Sequence, residues 1–185
     1  MTIDVGAGDG RALLAAAARD PRTLHLGLDP VAAAMAEASR RAARRPGKGG
    51  LSNALFVVGA AESYPGELRG LAAAVTVRFP WASLLRGCLG RDTAAASGVT
   101  ALLAPGGSLE LLLAPAERDR LEGIPTEPEA VVAAARATFE RFGLSCVEGR
   151  LATPAEVRSS GSTWARRLLG AGSDRAPVVV RFRSP

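Results

Sequence analysis

Along the whole chain, short runs of apolar residues with strand-like alternation give way to stretches in which apolar positions recur at helical spacing. The strand-like runs are Thr2–Val5, Leu24–Leu28, Leu55–Val58, Ala73–Phe79, Ser108–Leu113, Leu144–Glu148 and Val178–Phe182. Helical spacing fills Arg11–Arg19, Val31–Arg44, Leu84–Leu103 with a break near Asp92, and Glu127–Phe142. This order predicts an α/β fold: a seven-stranded, mainly parallel sheet with helices on both faces. Asp29-Pro30 suits the start of the second helix, because Asp can cap and Pro fits the first turn. Pro105-Gly106-Gly107 ends the helix before it and turns into the fifth strand. Pro46-Gly47-Lys48-Gly49-Gly50 and Pro115 to Pro128 are the loop-rich stretches, and no repeat or long linker interrupts the rest. Residues 1–185 therefore read as a single domain, long enough to bury a substantial core.

The first strand runs into Asp4-Val5-Gly6-Ala7-Gly8-Asp9-Gly10, and Asp29 follows nineteen residues beyond Gly10 at the end of the second strand. Strand, glycine turn, helix, strand and acidic residue make the first half of a nucleotide-binding βαβ unit. Gly6 and Gly8 allow a tight turn and a close approach to a ligand. Two cofactor classes could use this layout. A dinucleotide fingerprint places a third small residue where Arg11 stands, and Arg11 is too large for the close helix–strand contact. An acidic residue followed by G-x-G-x-G suits S-adenosylmethionine, whose ribose diol Asp29 could accept; a glycine turn with no ligand is the remaining reading. In open sheets of this kind, ligands lie at the carboxyl ends of the strands. Gly6 to Gly10, Asp29, Ala61-Glu62 and Pro80-Trp81 all fall there; Glu62 could accept an adenine amine, a solvated loop glutamate being the alternative.

Composition changes this picture only a little. The net charge of +5 and the pI near 10.4 fit a polyanionic partner. Lys48 is the only lysine, however, and the Arg- and Ala-rich bias also fits a G+C-rich coding sequence. Cys88 and Cys146 have neither metal-ligand nor redox spacing and His25 lies in a strand pattern, so all three read as structural and no metal is expected. No apolar run approaches the roughly 18 residues of a membrane helix, and a strand beginning at residue 2 leaves no room for a leader. A cytoplasmic, membrane-free protein is expected. The two tryptophans stand beside polar and basic residues, Trp81 in Arg78-Phe79-Pro80-Trp81 and Trp164 in Ser162-Thr163-Trp164-Ala165-Arg166-Arg167. Two such indoles could sandwich an unstacked base, with Arg166 and Arg167 on the phosphates around it; packing is the alternative role.

These segments carry a family resemblance. DVGAGDG, GLDP, KGGLSNALFV (Lys48 to Val57), AAES, FPWASLLRG and STWARRL resemble the aminoglycoside-resistance methyltransferases of the kanamycin–apramycin group, which modify N1 of the decoding-site adenine of 16S ribosomal RNA. The matches span residues 4 to about 168, and the PWxSLLRG and SxWxRR elements are particular to the group. The resemblance implies a class I, Rossmann-like S-adenosylmethionine-dependent methyltransferase. It implies that Asp4, Gly6, Gly8 and Asp29 hold the cofactor, with Ala61 and Glu62 near its adenine. It implies further that Trp81 and Trp164 clamp the flipped base while Pro80, Ser83 and Ser162 orient base or cofactor. Lys48, Arg166, Arg167 and Arg175 would touch RNA, and the partner would be the 30S subunit at its decoding region, met by a monomer. Two departures stand out. Family members carry a further N-terminal β-hairpin, whereas this sequence starts almost at the cofactor strand. Ala82 replaces the usual glycine after the tryptophan, which is expected to stiffen that loop. A methyltransferase of another RNA or a small molecule, and a non-catalytic RNA-binding relative, are the competing functions.

Overall fold

Residues that alternate along a strand point to opposite faces of a sheet, and here the two faces are built differently. The computed structural model describes residues 1–163, 165 and 175–185. Its strands are β1 (Thr2–Val5), β2 (His25–Asp29), β3 (Ala54–Val58), β4 (Ala72–Arg78), β5 (Leu103–Leu113), β6 (Ser145–Leu151) and β7 (Val178–Arg183). They form one seven-stranded sheet in the order β3-β2-β1-β4-β5-β7-β6, parallel except for β7 against its two neighbours. The helices are α1 (Arg11–Arg19), α2 (Ala32–Ala42), α3 (Ala82–Cys88), α4 (Thr93–Ala101), α5 (Pro128–Glu140) and α6 (Pro154–Ser159).

One face is apolar throughout. Ile3, Val5, Val75, Val77, Leu109, Leu111, Val180 and Phe182 pack there against α3, α4 and α5 in one continuous core. Cys88 belongs to that core, and burial pushes its thiol up to about 12, so it behaves as a small hydrophobe. The other face carries two smaller clusters: Leu13, Leu14, Ala17, Ala38 and Ala42 from α1 and α2, and Phe79, Leu112 and Val179 with Val157 of α6. Between these clusters the same face is polar. Register places Asp4 beside Thr76, Thr76 beside Glu110, Glu110 beside Arg181 and Arg181 beside Glu148, a polar row across five strands.

The predicted strands and helices are all present, the expected break near Asp92 included, and three features differ. The break near Asp92 separates two helices, and the Asp92 carboxylate caps the second by accepting the N–H groups of Ala94 and Ala95. Asp29 does not cap α2, which begins at Ala32 behind Val31. Instead Asp29 closes β2, and its carboxylate faces the glycine turn. Pro105-Gly106-Gly107 is a kink inside β5 rather than its start, because Leu103 already pairs with Ala72 before the register shifts. Helix α6 was not predicted. Among the described residues, no helix is long and apolar enough to cross a membrane.

Candidate active site

The sheet order reverses between β1 and β4, since β2 and β3 lie on one side and β5 to β7 on the other. At the carboxyl ends of these strands lies a cavity of about 330 Å³. Asp4, Gly6, Gly8, Asp29, Ala61, Glu62, Pro80, Trp81, Ser83 and Ser162 all line it, so ten of the predicted site residues converge on one cleft.

The glycine turn forms its floor. Gly6 and Gly8 have φ of +77° and +57°, the left-handed region that favours glycine. A Cβ on Gly6 would stand 2.9 Å from Leu84, while one on Gly8 would project into open space. Gly10 makes the close packing contact, for a Cβ there would lie 2.5 Å from the Phe56 ring. Arg11 is exposed. The size of Arg11 is thus not what separates this turn from a dinucleotide fingerprint, because Gly10 already provides the tight helix–strand approach.

Two carboxylates face the turn from different strands. Asp29 Oδ2 accepts the Gly8 N–H at 2.9 Å and Oδ1 accepts the Val31 N–H at 2.8 Å. Each oxygen keeps a lone pair, so Asp29 can both fix the turn and accept a ribose diol. Asp4 is buried, and its Oδ1 accepts the Thr76 hydroxyl at 2.7 Å and Arg78 Nη1 at 3.1 Å. Burial pushes the Asp4 carboxyl up from its ordinary value; Arg78 and Thr76 pull it back, and the charge of Asp29 adds to the rise. Ala61 is buried and Glu62 is exposed beside it on the cavity wall. A turn that admits backbone, a diol acceptor on β2, a buried anion on β1 and an acidic residue after β3 together fit S-adenosylmethionine.

The mouth carries the aromatic group. Trp81 is 54% exposed although it lines the cavity. The backbone on either side is held in the left-handed region, with Phe79 at φ +49° and Ala82 at φ +48°. From the opposite wall comes Ser162, whose N–H donates to Ser160 Oγ at 3.3 Å. That wall is supported by α6. The Arg181 guanidinium donates to Glu110 at 2.8 Å, to Glu156 of α6 at 2.8 Å, and to Glu148. Arg150 also bridges Glu148 and Glu156, at 2.7 and 2.8 Å. Three carboxylates and two guanidiniums thereby tie α6 to β5, β6 and β7.

Of the predicted RNA contacts, Lys48 is exposed on the 3₁₀ turn Pro46–Lys48, away from the cavity. Trp164, Arg166 and Arg167 lie outside the described residues. Arg175 takes a different position from the one expected. Its guanidinium pairs with Asp119, the two side chains being 4% and 5% exposed, and it also donates to the Ala114 carbonyl. Burial works against the charge of Asp119, but Arg175 and the Ala116 N–H hold its carboxyl below the ordinary value. A guanidinium enclosed in this way secures the segment entering β7 rather than presenting a cation to RNA.

Sequence reasoning missed Arg78, which reads as part of an apolar strand, and the exposed cations of α2 and the turn after it: Arg40, Arg41, Arg44 and Arg45, alongside Lys48. Their spacing in R-R-x-x-R-R was the available signal.

A family model described as NpmA, 16S rRNA (adenine(1408)-N(1))-methyltransferase, matches residues 1–183. A 16S rRNA (adenine(1408)-N(1))-methyltransferase of Streptoalloteichus tenebrarius is 34% identical over 185 residues, 97% of this chain and 85% of that protein. One of the same name from Escherichia coli is 45% identical over 83 residues, 45% of this chain and 38% of that protein's length. Among solved structures, a tryptophan-to-alanine mutant of the 16S rRNA (adenine(1408)-N(1))-methyltransferase from Catenulisporales acidiphilia, with cosubstrate SAM, superposes with a TM-score of 0.87 at 33% identity, covering 99% of this chain and 84% of that one. The 16S rRNA methyltransferase KamB gives 0.86 at 30% identity, covering 100% and 87%.

Proposed function

The chain belongs to the 16S rRNA (adenine(1408)-N(1))-methyltransferase family, and from that premise we propose that it methylates N1 of the decoding-site adenine on the 30S subunit and so confers aminoglycoside resistance. The observation that carries this reading is the exposed Trp81 at the mouth of a cavity floored by the glycine turn. Adenine N1 keeps a free lone pair at neutral pH, so no side chain need act as general base. When bound, S-adenosylmethionine supplies a methyl group on a sulfonium centre. Asp4, Asp29 and Glu62 hold that cofactor, and the Gly6–Gly8 turn lets it lie against backbone. Trp81 and Trp164 receive the flipped base, offsetting the few kcal/mol lost on unstacking. Pro80, Ser83 and Ser162 orient it. Positioning of the adenine by these residues would supply most of the catalysis, and two indole faces would favour the cationic product.

Docking is assigned to cations. Arg40, Arg41, Arg44, Arg45 and Lys48 form an exposed basic strip, in which Glu37 accepts from Arg40 at 2.8 Å. Arg166 and Arg167, which follow Trp164 closely in the sequence, are assigned to RNA as well. A cytoplasmic monomer fits an enzyme that works on a ribosomal subunit.

The test is transfer of labelled methyl groups to purified 30S subunits, with 50S subunits, transfer RNA and free nucleosides in parallel. Label is expected in 30S alone. Trp81→Ala is expected to slow transfer roughly 5- to 150-fold, the equivalent of about 1–3 kcal/mol of stacking, with cofactor affinity unchanged. Preferential labelling of transfer RNA or nucleosides would select the other substrates, and RNA binding without cofactor binding would select a non-catalytic role.

A further inference from the structure

Arg78 is the one cation lining the cofactor cavity among the described residues. It closes β4 two positions beyond Thr76 on the same face, which brings its guanidinium over the carboxylate of Asp4 at 3.1 Å. The two side chains are 24% and 11% exposed, so the pair is largely shielded from water yet opens onto the cleft. A guanidinium has five N–H groups in a planar fork. Among the described residues Arg78 donates one hydrogen bond, from Nη1 to Asp4. The rest of the fork is available to a ligand, and its geometry matches a carboxylate.

We propose that Arg78 binds the α-carboxylate of S-adenosylmethionine, while Asp4 beside it takes the α-ammonium. The amino-acid end of this cofactor is a zwitterion, and the cavity offers one anion and one cation side by side. Without ligand they neutralise each other, which makes a buried Asp4 tolerable. With ligand each keeps its opposite charge and gains a second, so no group is left buried and unpaired. Anchoring both charged ends fixes the tail of the cofactor, and with it the direction in which the sulfonium methyl points toward the base. A role confined to neutralising Asp4 would affect ammonium binding and leave the carboxylate unread.

This inference rests on the cofactor reading alone and is tested without RNA. Calorimetric titrations compare S-adenosylmethionine, its decarboxylated form, which keeps the ammonium, and 5′-methylthioadenosine, which lacks the whole amino-acid tail. The wild-type protein is expected to prefer S-adenosylmethionine over the decarboxylated form by about tenfold or more, the scale of one charge-assisted pair. In Arg78→Met that preference should fall below about threefold, and in Arg78→Lys it should be intermediate. Binding of methylthioadenosine should stay within about twofold in every variant, which also reports an intact cavity. A wild-type protein that binds the two charged ligands equally overturns the assignment, whatever the variants do. So does an Arg78→Met preference equal to wild type, or one fallen only together with methylthioadenosine binding. Failure of the wild type to bind S-adenosylmethionine at all would instead remove the cofactor reading itself.

Discussion

Ala82 holds a backbone conformation that glycine adopts freely, φ +48°, directly after the tryptophan at the cavity mouth. A Cβ in that region costs about 1–2 kcal/mol, and strain of this sort persists only where the surroundings enforce it. Ala82→Gly removes it and gives back about 0.4–1 kcal/mol through the looser unfolded chain. Chemical denaturation should therefore find the variant as stable as wild type or up to about 1 kcal/mol more stable. A loss above about 0.5 kcal/mol, the usual result of Ala→Gly inside a helix, would show that the strain is absent. The individual residues differ in how far the sequence revealed them. Asp4, Gly6, Gly8 and Asp29 were legible because the glycine turn is local and its spacing carries the meaning. Arg78 was not, because its partner Asp4 lies 74 positions away and a lone Arg at a strand end has no signature. Arg175 was misplaced for the same reason: Asp119, which encloses it, is 56 positions distant.

The secondary elements were legible where apolar periodicity is strong, as in Arg11–Arg19, whose predicted and observed limits coincide. Helix α6 is short and mostly polar, so periodicity is silent there. Its start was nevertheless written in Thr153-Pro154-Ala155-Glu156: the Thr153 hydroxyl accepts the Glu156 N–H at 3.2 Å, and the Glu156 carboxylate accepts the Thr153 N–H at 2.8 Å. That is a capping box with proline in the first turn. Glu156 also receives Arg150 and Arg181, and could not be seen to do so from the sequence, because the polar row exists only once the strands are in register. Arg150 above all, together with the Thr153 N–H, holds the Glu156 carboxyl far below its ordinary value of 4.5. A depressed carboxylate contributes stability that is full above the unfolded value and is lost as pH falls through the folded one. Glu156→Gln should accordingly lower the melting temperature at neutral pH. The gap to wild type should begin to narrow only below about pH 4.5, and continue narrowing toward pH 3. A gap that stays constant or widens over that range would mean the network does not stabilise α6.

In the molecule as a whole, the two faces of the sheet divide the work. The face toward α3, α4 and α5 is continuous core. The opposite face leaves a polar strip between two small clusters, and the strip ends at the switch point where the cavity opens. Alternating strands and helices made the fold legible, and the placement of ligands at carboxyl strand ends made the cleft legible. How the two walls are braced could not be read, because bracing depends on contacts between β5, β6, β7 and α6.

Reverse transcription across the decoding region, on 16S rRNA from 30S subunits incubated with the protein, reads substrate, atom and position in a single measurement. A methyl group on N1 blocks the pairing edge of adenine. A stop at adenine 1408 that requires both the protein and S-adenosylmethionine is the expected result. Full-length product under the same conditions, or a cofactor-dependent stop at a different nucleotide, would contradict it.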